Sequence, residues 1–506
     1  MIVLYDLLIG KFVAVMAAAC LYLGLIIWVD RDARARGLTP QPWNTLCLLL
    51  PVIGCIVYLC ARGRVGGLEG EVPLEEAPTD DAVSLMPVAQ RGVALGQGAS
   101  ADDVILLQRS GHRITERKRR RGGVTALGHL RGLIATAIAE RATDIHLELG
   151  ETEMRTRFRI DGVLHDGLIL QHNMGRSVVS AVKAAAEIDI PARGHGLEGT
   201  FRACLGSEQY DLRVASTASS HGETMAIRVL DRRRGLLGLE GLGLSPELVA
   251  RLERELASTH GLVVASGPTG SGKTTTLYAC LARVDTVERN VTTIEDPVEY
   301  ELPGVTQIPV NRRAGMDFAE GLRSVLRQDP DVVMVGEVRD QETAKTATQA
   351  AVAGHLVLST LHGASVFAAL GRLRALGIDS HTLASAVRLV ICQRLVRVLC
   401  SDCRELRKVT PAAFSGLDMA PSEMPASVFF PHGCPNCNRS GYRSRTGVFE
   451  VLIVSDEVRD LISKDAPDSE LLAAAKTAGM LTLKQDGIAK LREGVTSIEE
   501  IRKAIA

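Results

Sequence analysis

The chain has 506 residues, too many for one ordinary hydrophobic core, so two or three globular units with accessory segments are expected. Its 58 basic and 59 acidic residues nearly cancel, and a net charge of -1 removes any global electrostatic argument for nucleic acid as the main partner. Eleven cysteines in so long a chain do not imply a secreted disulfide framework: Cys20, Cys47, Cys55 and Cys60 sit in apolar runs as small hydrophobes, and four others form two C-x-x-C pairs suited to a reducing compartment.

The first 60 residues hold two uncharged runs, 12–29 and 43–60. Each has about the 18 residues a helix needs to cross hydrocarbon. No A-x-A-like cleavage site follows the first, so the reading is a two-span hairpin in the lipid bilayer rather than a signal peptide. Trp28, Trp43 and Tyr58 suit interfacial anchors. A cytoplasmic nucleotide site would put Arg31, Arg34 and Arg36 in the external loop, against the positive-inside tendency, whereas Arg62 and Arg64 follow the second run.

Residues 61–123 read as a linker rich in Gly, Pro and acidic residues, with room for one short element at 104–107. Its basic cluster, 117–121, fits either a solvated charge run or contact with anionic headgroups. Residues 124–238 form a small α/β domain. The pattern predicts a helix over 127–138, a strand over 142–146, a hairpin of 154–160 and 163–169 around Asp161-Gly162, a helix over 177–188 and strands at 210–215 and 224–230. Arg213 and Arg228 fall on short strands, from which an arginine can reach a phosphate across a cleft; the alternative is a surface arginine.

Residues 239–399 carry the chemistry. An apolar strand, 262–265, runs into Gly267-Pro268-Thr269-Gly270-Ser271-Gly272-Lys273-Thr274, a G-x-x-x-x-G-K-[ST] loop, and Thr275 continues into a helix. Glycines let successive N–H groups face phosphate oxygens, Lys273 reaches the terminal phosphates and the Thr274 hydroxyl ligates magnesium. A second buried strand, 332–335, ends at Glu337, placed for the magnesium shell. Between them Glu295, Asp296 and Glu299 cluster after a further strand, either as a polar strand exit or as catalytic carboxylates. Arg323, Arg327 and Arg339 suit charge neutralisation, including fingers from a neighbouring subunit, and His355 and His362 bracket strand 356–361, from which one could sense the γ-phosphate.

Cys400-x-x-Cys403 and Cys434-x-x-Cys437 stand thirty residues apart and supply the four corners of a structural zinc site over 400–440. Four thiolates leave no open position, so this metal holds an insertion together rather than catalysing. The last part, 441–506, reads as a strand at 448–454 followed by amphipathic helices.

Through residues 267–274, 293–300, 323–339 and 354–363, the chain resembles the secretion ATPases of type II secretion and type IV pilus assembly over 124–506. The four segments match the Walker A loop, the acidic "Asp box", the Walker B strand and the "His box" of those proteins. The resemblance implies a RecA-like ATPase domain with a smaller α/β domain before it and a zinc-bound insertion and helical tail behind. ATP and Mg2+ are the implied cofactors besides Zn2+. Glu299 becomes the leading candidate for the general base, with Glu295 and Asp296 beside it and Glu337 on magnesium, although Glu299 and Glu337 could exchange roles. Arg213 and Arg228 match arginines that close onto nucleotide. A homo-hexamer is implied, driving an inner-membrane platform protein from the cytoplasmic side of a bacterial inner membrane, with no nucleic-acid partner. The competing readings are an ATP-binding scaffold without turnover and a DNA-transport motor; the cysteine pairs weigh against the latter and tilt the choice toward assembly and secretion motors. Two departures stand out. No match to the family's further amino-terminal docking domain is found, the apolar runs standing in its place, and 192–200 lacks the usual Gln-Asp-Gly pattern.

Overall fold

The computed structural model describes residues 101–115, 125–191, 196–231 and 237–505, all within one compact unit, Pro87–Ala506. The predicted membrane hairpin and the basic cluster 117–121 lie outside the described residues. Among the described residues no helix is long and apolar enough to cross a membrane.

The first sheet contains β1 (Val104–Gln108), β2 (Asp144–Leu149), β3 (Glu153–Ile160), β4 (Val163–Gln171), β5 (Leu197–Leu205), β6 (Glu208–Ser219) and β7 (Gly222–Asp231), in the order β1-β5-β6-β7-β2-β3-β4 and antiparallel throughout. Its strands alternate: Ile145, Leu147, Leu212, Val214, Met225 and Ile227 are buried under α1 (Ala126–Ala139) and α2 (His172–Ala185), leaving the other face polar. β1 coincides with the short element that the linker reading left room for at 104–107, and it pairs with β5 as an edge strand; β5, for which no strand was predicted, begins at Leu197, in the segment read as an altered loop. The second helix starts at His172, one turn before its predicted start.

The second sheet has the order β10-β9-β11-β12-β8-β13-β16. Its members are β8 (Gly261–Ser266), β9 (Val291–Glu295), β10 (Thr306–Pro309), β11 (Val332–Val335), β12 (Leu356–Leu361), β13 (Val387–Leu399) and β16 (Tyr442–Ile453). β8 to β13 run parallel where they pair and β16 is antiparallel to β13. Every residue of β8, β9, β11 and β12 is buried, as expected of a parallel sheet covered on both faces. Val263 and Ala265 face α3 (Pro246–Leu256) and α4 (Lys273–Leu281). Leu262 and Val264 face α5 (Phe318–Val325), α6 (Gln341–Val352), α7 (Val366–Ala375) and α8 (Ser380–Ala386). Ser245, Asp317, Asp340, Ser365 and Asp379 each accept a first-turn N–H, so local chemistry starts these helices.

Between β13 and β16 lies the insertion, with β14 (Glu405–Lys408) paired to β15 (Ser427–Phe430). The tail supplies α9 (Asp456–Ser463), α10 (Asp468–Thr477), α11 (Leu483–Arg492) and α12 (Ile498–Ile505). The tail is therefore not a separate helical appendage: β16 extends the central sheet, and Leu471, Leu491 and Ile501 join the core that covers it.

Candidate active site

The parallel strands carry the chemistry to one edge of the sheet. β8 ends in the P-loop, β12 in His362, β11 in Glu337 and β9 in Glu295 and Asp296. Ligand sites of open α/β sheets form in this place, outside the carboxyl ends of the strands.

The P-loop turns sharply at Gly267 (φ 149°) and Gly272 (φ 90°). A Cβ at Gly267 would stand 2.5 Å from Ser271 Oγ and 2.6 Å from the Gln393 carbonyl oxygen, so only glycine fits. Lys273 Nζ donates to the carbonyls of Gly267 (2.8 Å) and Pro268 (3.2 Å), which holds the ammonium over the cradle. Burial lowers its pKa, Glu337 opposes and Arg394 adds to the lowering. Pro268, Thr269, Gly270 and Thr274 are exposed on the open side, while Thr275 is half-buried. Gln393 of β13, 1% exposed, supports the loop from below: its Nε2 donates to the Ser271 carbonyl and its Oε1 accepts from Thr276 Oγ1, both at 2.7 Å.

Glu337 receives Arg339 Nη2 at 2.7 Å and His362 Nε2 at 3.1 Å. Burial would raise its pKa, but the Arg339 hydrogen bond and charge, then His362 and Lys273, hold it below the usual carboxylate range. It is therefore ionised at neutral pH. Thr360 Oγ1 donates to the Gly336 carbonyl (2.7 Å) and Gly336 N to the Ile294 carbonyl (2.8 Å), stitching the ends of β12, β11 and β9 together.

Glu299 is held from the other domain. Arg213 Nη1 lies 3.1 Å from Glu299 Oε2, and its Nη2 donates to the Val298 carbonyl at 2.7 Å. The register explains the reach: Arg213, Arg228, Asp144 and Arg159 lie opposite one another on β6, β7, β2 and β3, and Leu212 and Val214 point the other way into the core.

Several expected site residues are placed elsewhere. Arg228 is bonded to Asp144 (3.3 Å) within its own sheet. Arg323 is bound by Glu320 (2.6 Å) and Glu342, and Arg327 lies exposed in the turn Leu326–Gln328 beyond α5 rather than on its helix. Asp296 is exposed and paired with Arg312 at 3.0 Å. Glu295, 2% exposed, points inward, where Thr293 Oγ1 (2.6 Å), Gln307 Nε2 (3.0 Å) and Tyr278 satisfy it. His355 stands at the wrong end of β12: Gly261, the first residue of β8, donates to its carbonyl at 3.1 Å. With a strand rise of about 3.3 Å per residue, it lies roughly 20 Å from the edge where His362 meets Glu337.

The four cysteines meet where the β13–β16 ribbon ends. Leu399 pairs with Tyr442 and Cys400 N donates to the Gly441 carbonyl (2.9 Å), which brings both C-x-x-C turns together. The sulfurs of Cys400 and Cys434 are 3.9 Å apart, those of Cys403 and Cys437 3.7 Å, and those of Cys434 and Cys437 3.7 Å. A tetrahedron with Zn–S bonds of about 2.3 Å has edges of about 3.8 Å, so the residues fit zinc. Gly433 N donates to Cys403 Sγ (3.3 Å), and Cys434 N and Gly441 N to Cys437 Sγ (both 3.2 Å), an outer set of donors suited to thiolates.

Residues 126–503 match the profile of the family described as "Type II/IV secretion system protein". The chain belongs to that family. The "Type II secretion system protein E" of Pseudomonas aeruginosa is 42% identical over 372 residues, 74% of each chain. The "Type II secretion system ATPase E" of Vibrio cholerae is 41% identical over 374 residues, again 74% of each. Among solved structures, the Legionella pneumophila ATPase DotB superposes with a TM-score of 0.56 at 21% identity, covering 77% of this chain and 97% of that one, a likeness of fold. As a member of the type II/IV secretion family, the chain is an ATP-hydrolysing enzyme of the P-loop class.

Within this family member, motif reading missed Gln393, Tyr278 and Gln307. A signal for Gln393 was available: it is the one uncharged polar residue in the otherwise apolar and basic run 387–399.

Proposed function

We propose that the chain is the hexameric ATPase motor of a type II secretion or type IV pilus machine, driving an inner-membrane platform protein from the cytoplasmic face. The observation carrying this is the convergence of Lys273, Glu337 and His362 at one sheet edge, with Arg213 reaching from the first domain onto the Glu299 loop. A phosphate-dependent exchange of Arg213 between Glu299 and nucleotide would couple hydrolysis to movement of the first domain. The P-loop amides and Lys273 would cradle the phosphates; Thr274 and Glu337 would hold magnesium, which neutralises charge on the transferring phosphoryl group. Glu299 would take the proton from the attacking water. The tetracysteine site would hold zinc as a structural clamp, and favours an assembly or secretion motor. Residues 1–60 would add a membrane anchor of the chain's own.

The test is ATP turnover by the purified full chain. Lys273→Ala abolishes phosphate release. Glu299→Gln lowers kcat by about 100-fold or more while Mg-ATP still binds, the scale of losing a general base. Glu337→Gln raises the magnesium concentration needed for half-maximal activity. Phosphate release that persists in Lys273→Ala, or a Glu299→Gln variant with normal kcat, would overturn these assignments, and a purified chain that never exceeds trimer would overturn the hexamer.

A further inference from the structure

Tyr278 lies on α4, five residues after Lys273, and is 1% exposed. Its hydroxyl donates to Glu295 Oε2, accepts from the backbone N–H of Glu299 at 3.3 Å and lies 3.4 Å from Gln307 Nε2. One donated and two accepted contacts use the whole capacity of a hydroxyl. The Glu295 carboxylate is the hub. Thr293 and Gln307 occupy its other oxygen, so a buried charge that would be costly alone has three donors. Gln307 extends the fastening: its Nε2 donates to the Tyr300 carbonyl (2.9 Å) and its Oε1 accepts from Leu302 N (2.7 Å). The ring of Tyr300 meets that of Tyr278 edge-on, with centroids 6.2 Å apart. Burial first, then the hydrogen bond and charge of Glu295, push the Tyr278 phenol well above its usual range, so the proton stays on the hydroxyl.

These bonds reach the backbone of the acidic loop at Glu299, Tyr300 and Leu302, and leave the Glu299 carboxylate free for Arg213 and the site. The loop is thereby fastened to the helix that begins with Lys273. We propose that Tyr278 is a positioning residue, which together with the buried Glu295–Gln307 pair fixes the Glu299 carboxylate relative to the phosphates held by Lys273. The proposal rests on the reading of Glu299 as the base. Glu295 is then an anchor: the site uses its carboxylate as the acceptor of three hydrogen bonds rather than as an acid or base.

The experiment combines hydrogen exchange and kinetics on the full chain. Tyr278→Phe keeps the ring and removes the hydroxyl. Exchange at the amides of Glu299, Tyr300 and Leu302 accelerates about tenfold or more, kcat falls about tenfold or more, and KM for ATP and the affinity for Mg-ADP stay within about twofold. In a Glu299→Gln background Tyr278→Phe produces no further loss of kcat, because it acts through Glu299. Should Tyr278→Phe fail to fold, Gln307→Leu cuts the same fastening from its half-buried side and gives the same acceleration of exchange. Unchanged exchange, unchanged kcat despite faster exchange, or a further loss in the Glu299→Gln background overturns the proposal. Normal turnover by Glu299→Gln sinks the reading of Glu299 as base, while the exchange result still judges the fastening separately.

Discussion

Gln393→Leu isolates the support beneath the P-loop. Leucine keeps most of the side-chain volume but orphans the Ser271 carbonyl and the Thr276 hydroxyl, each bonded to Gln393 at 2.7 Å. A buried polar group left without a partner costs about 1–3 kcal/mol. Thr276 can turn its hydroxyl to the carbonyl one helical turn back, at Gly272, whose oxygen already accepts Thr276 N at 3.0 Å. The Ser271 carbonyl is then the one orphan left, so the expected loss is about 1–3 kcal/mol rather than the full sum of two orphaned groups. Without nucleotide the loop can relax around the missing bond; with phosphates fixed on its amides it cannot, and about 1.4 kcal/mol of the loss appears as a tenfold weaker affinity. The assay is denaturation with and without Mg-ADP at a concentration 100 times the wild-type Kd. The nucleotide stabilises wild type by about 2.7 kcal/mol under that condition and the variant, at ten times its own Kd, by about 1.4 kcal/mol. Equal nucleotide-induced stabilisation in both proteins would refute the idea that Gln393 shapes the loop for phosphate.

The cysteine site should return one zinc per chain by elemental analysis, and Cys403→Ser with Cys434→Ser should remove it and lower Tm; a metal-free double variant that melts like wild type would contradict a structural metal. Arg213→Ala should leave stability within about 1 kcal/mol, because both partners are about a quarter exposed, yet lower kcat about tenfold. Equal turnover would mean the Arg213 contact is incidental. Glu500, 7% exposed, bonds to Arg397 Nη2 at 2.8 Å and accepts Arg397 N at 3.0 Å. Burial works to raise its pKa, but the Arg397 bonds and charge and then Lys503 hold it below its ordinary value of 4.5. A depressed folded-state pKa stabilises above the unfolded value and loses that contribution as pH falls through the folded one. Wild type should therefore exceed Glu500→Gln by about 1.5–3 kcal/mol at pH 7, with the gap narrowing below about pH 4.5. A gap independent of pH in denaturant melts would show that the Glu500 charge is not what stabilises.

The P-loop and the cysteine pairs were legible because each is a short run whose function depends on neighbours in sequence: glycines at fixed spacing curl one loop, and C-x-x-C closes one knuckle. Strand exits could be read in the same way, since 262–265 and 332–335 are apolar runs ending at chemistry. Residues whose worth depends on a distant partner could not be weighed in this way. Arg228 and Arg323 were read as candidates for phosphate, and the structure places Asp144 beside the first and Glu320 with Glu342 beside the second. His355 and His362 bracket the same strand, but a strand has two ends, and only His362 lies at the edge with Glu337 and the P-loop.

The sequence by itself determined that this chain carries a P-loop ending in Lys273 and Thr274, that two C-x-x-C pairs sit in an insertion, and that acids follow two apolar strands. Tertiary structure decided which acid is presented and which is an anchor. Glu295 ends β9 and Glu299 stands four residues on in the loop that follows, yet Tyr278 and Gln307 turn the first inward, and Arg213 of the other domain meets the second. It also decided that β16 belongs to the central sheet and β1 to the first, pairings to β13 and β5. These outcomes depend on contacts between residues tens to hundreds of positions apart, and side-chain periodicity carries no information about which distant strand or hydroxyl will complete a bond.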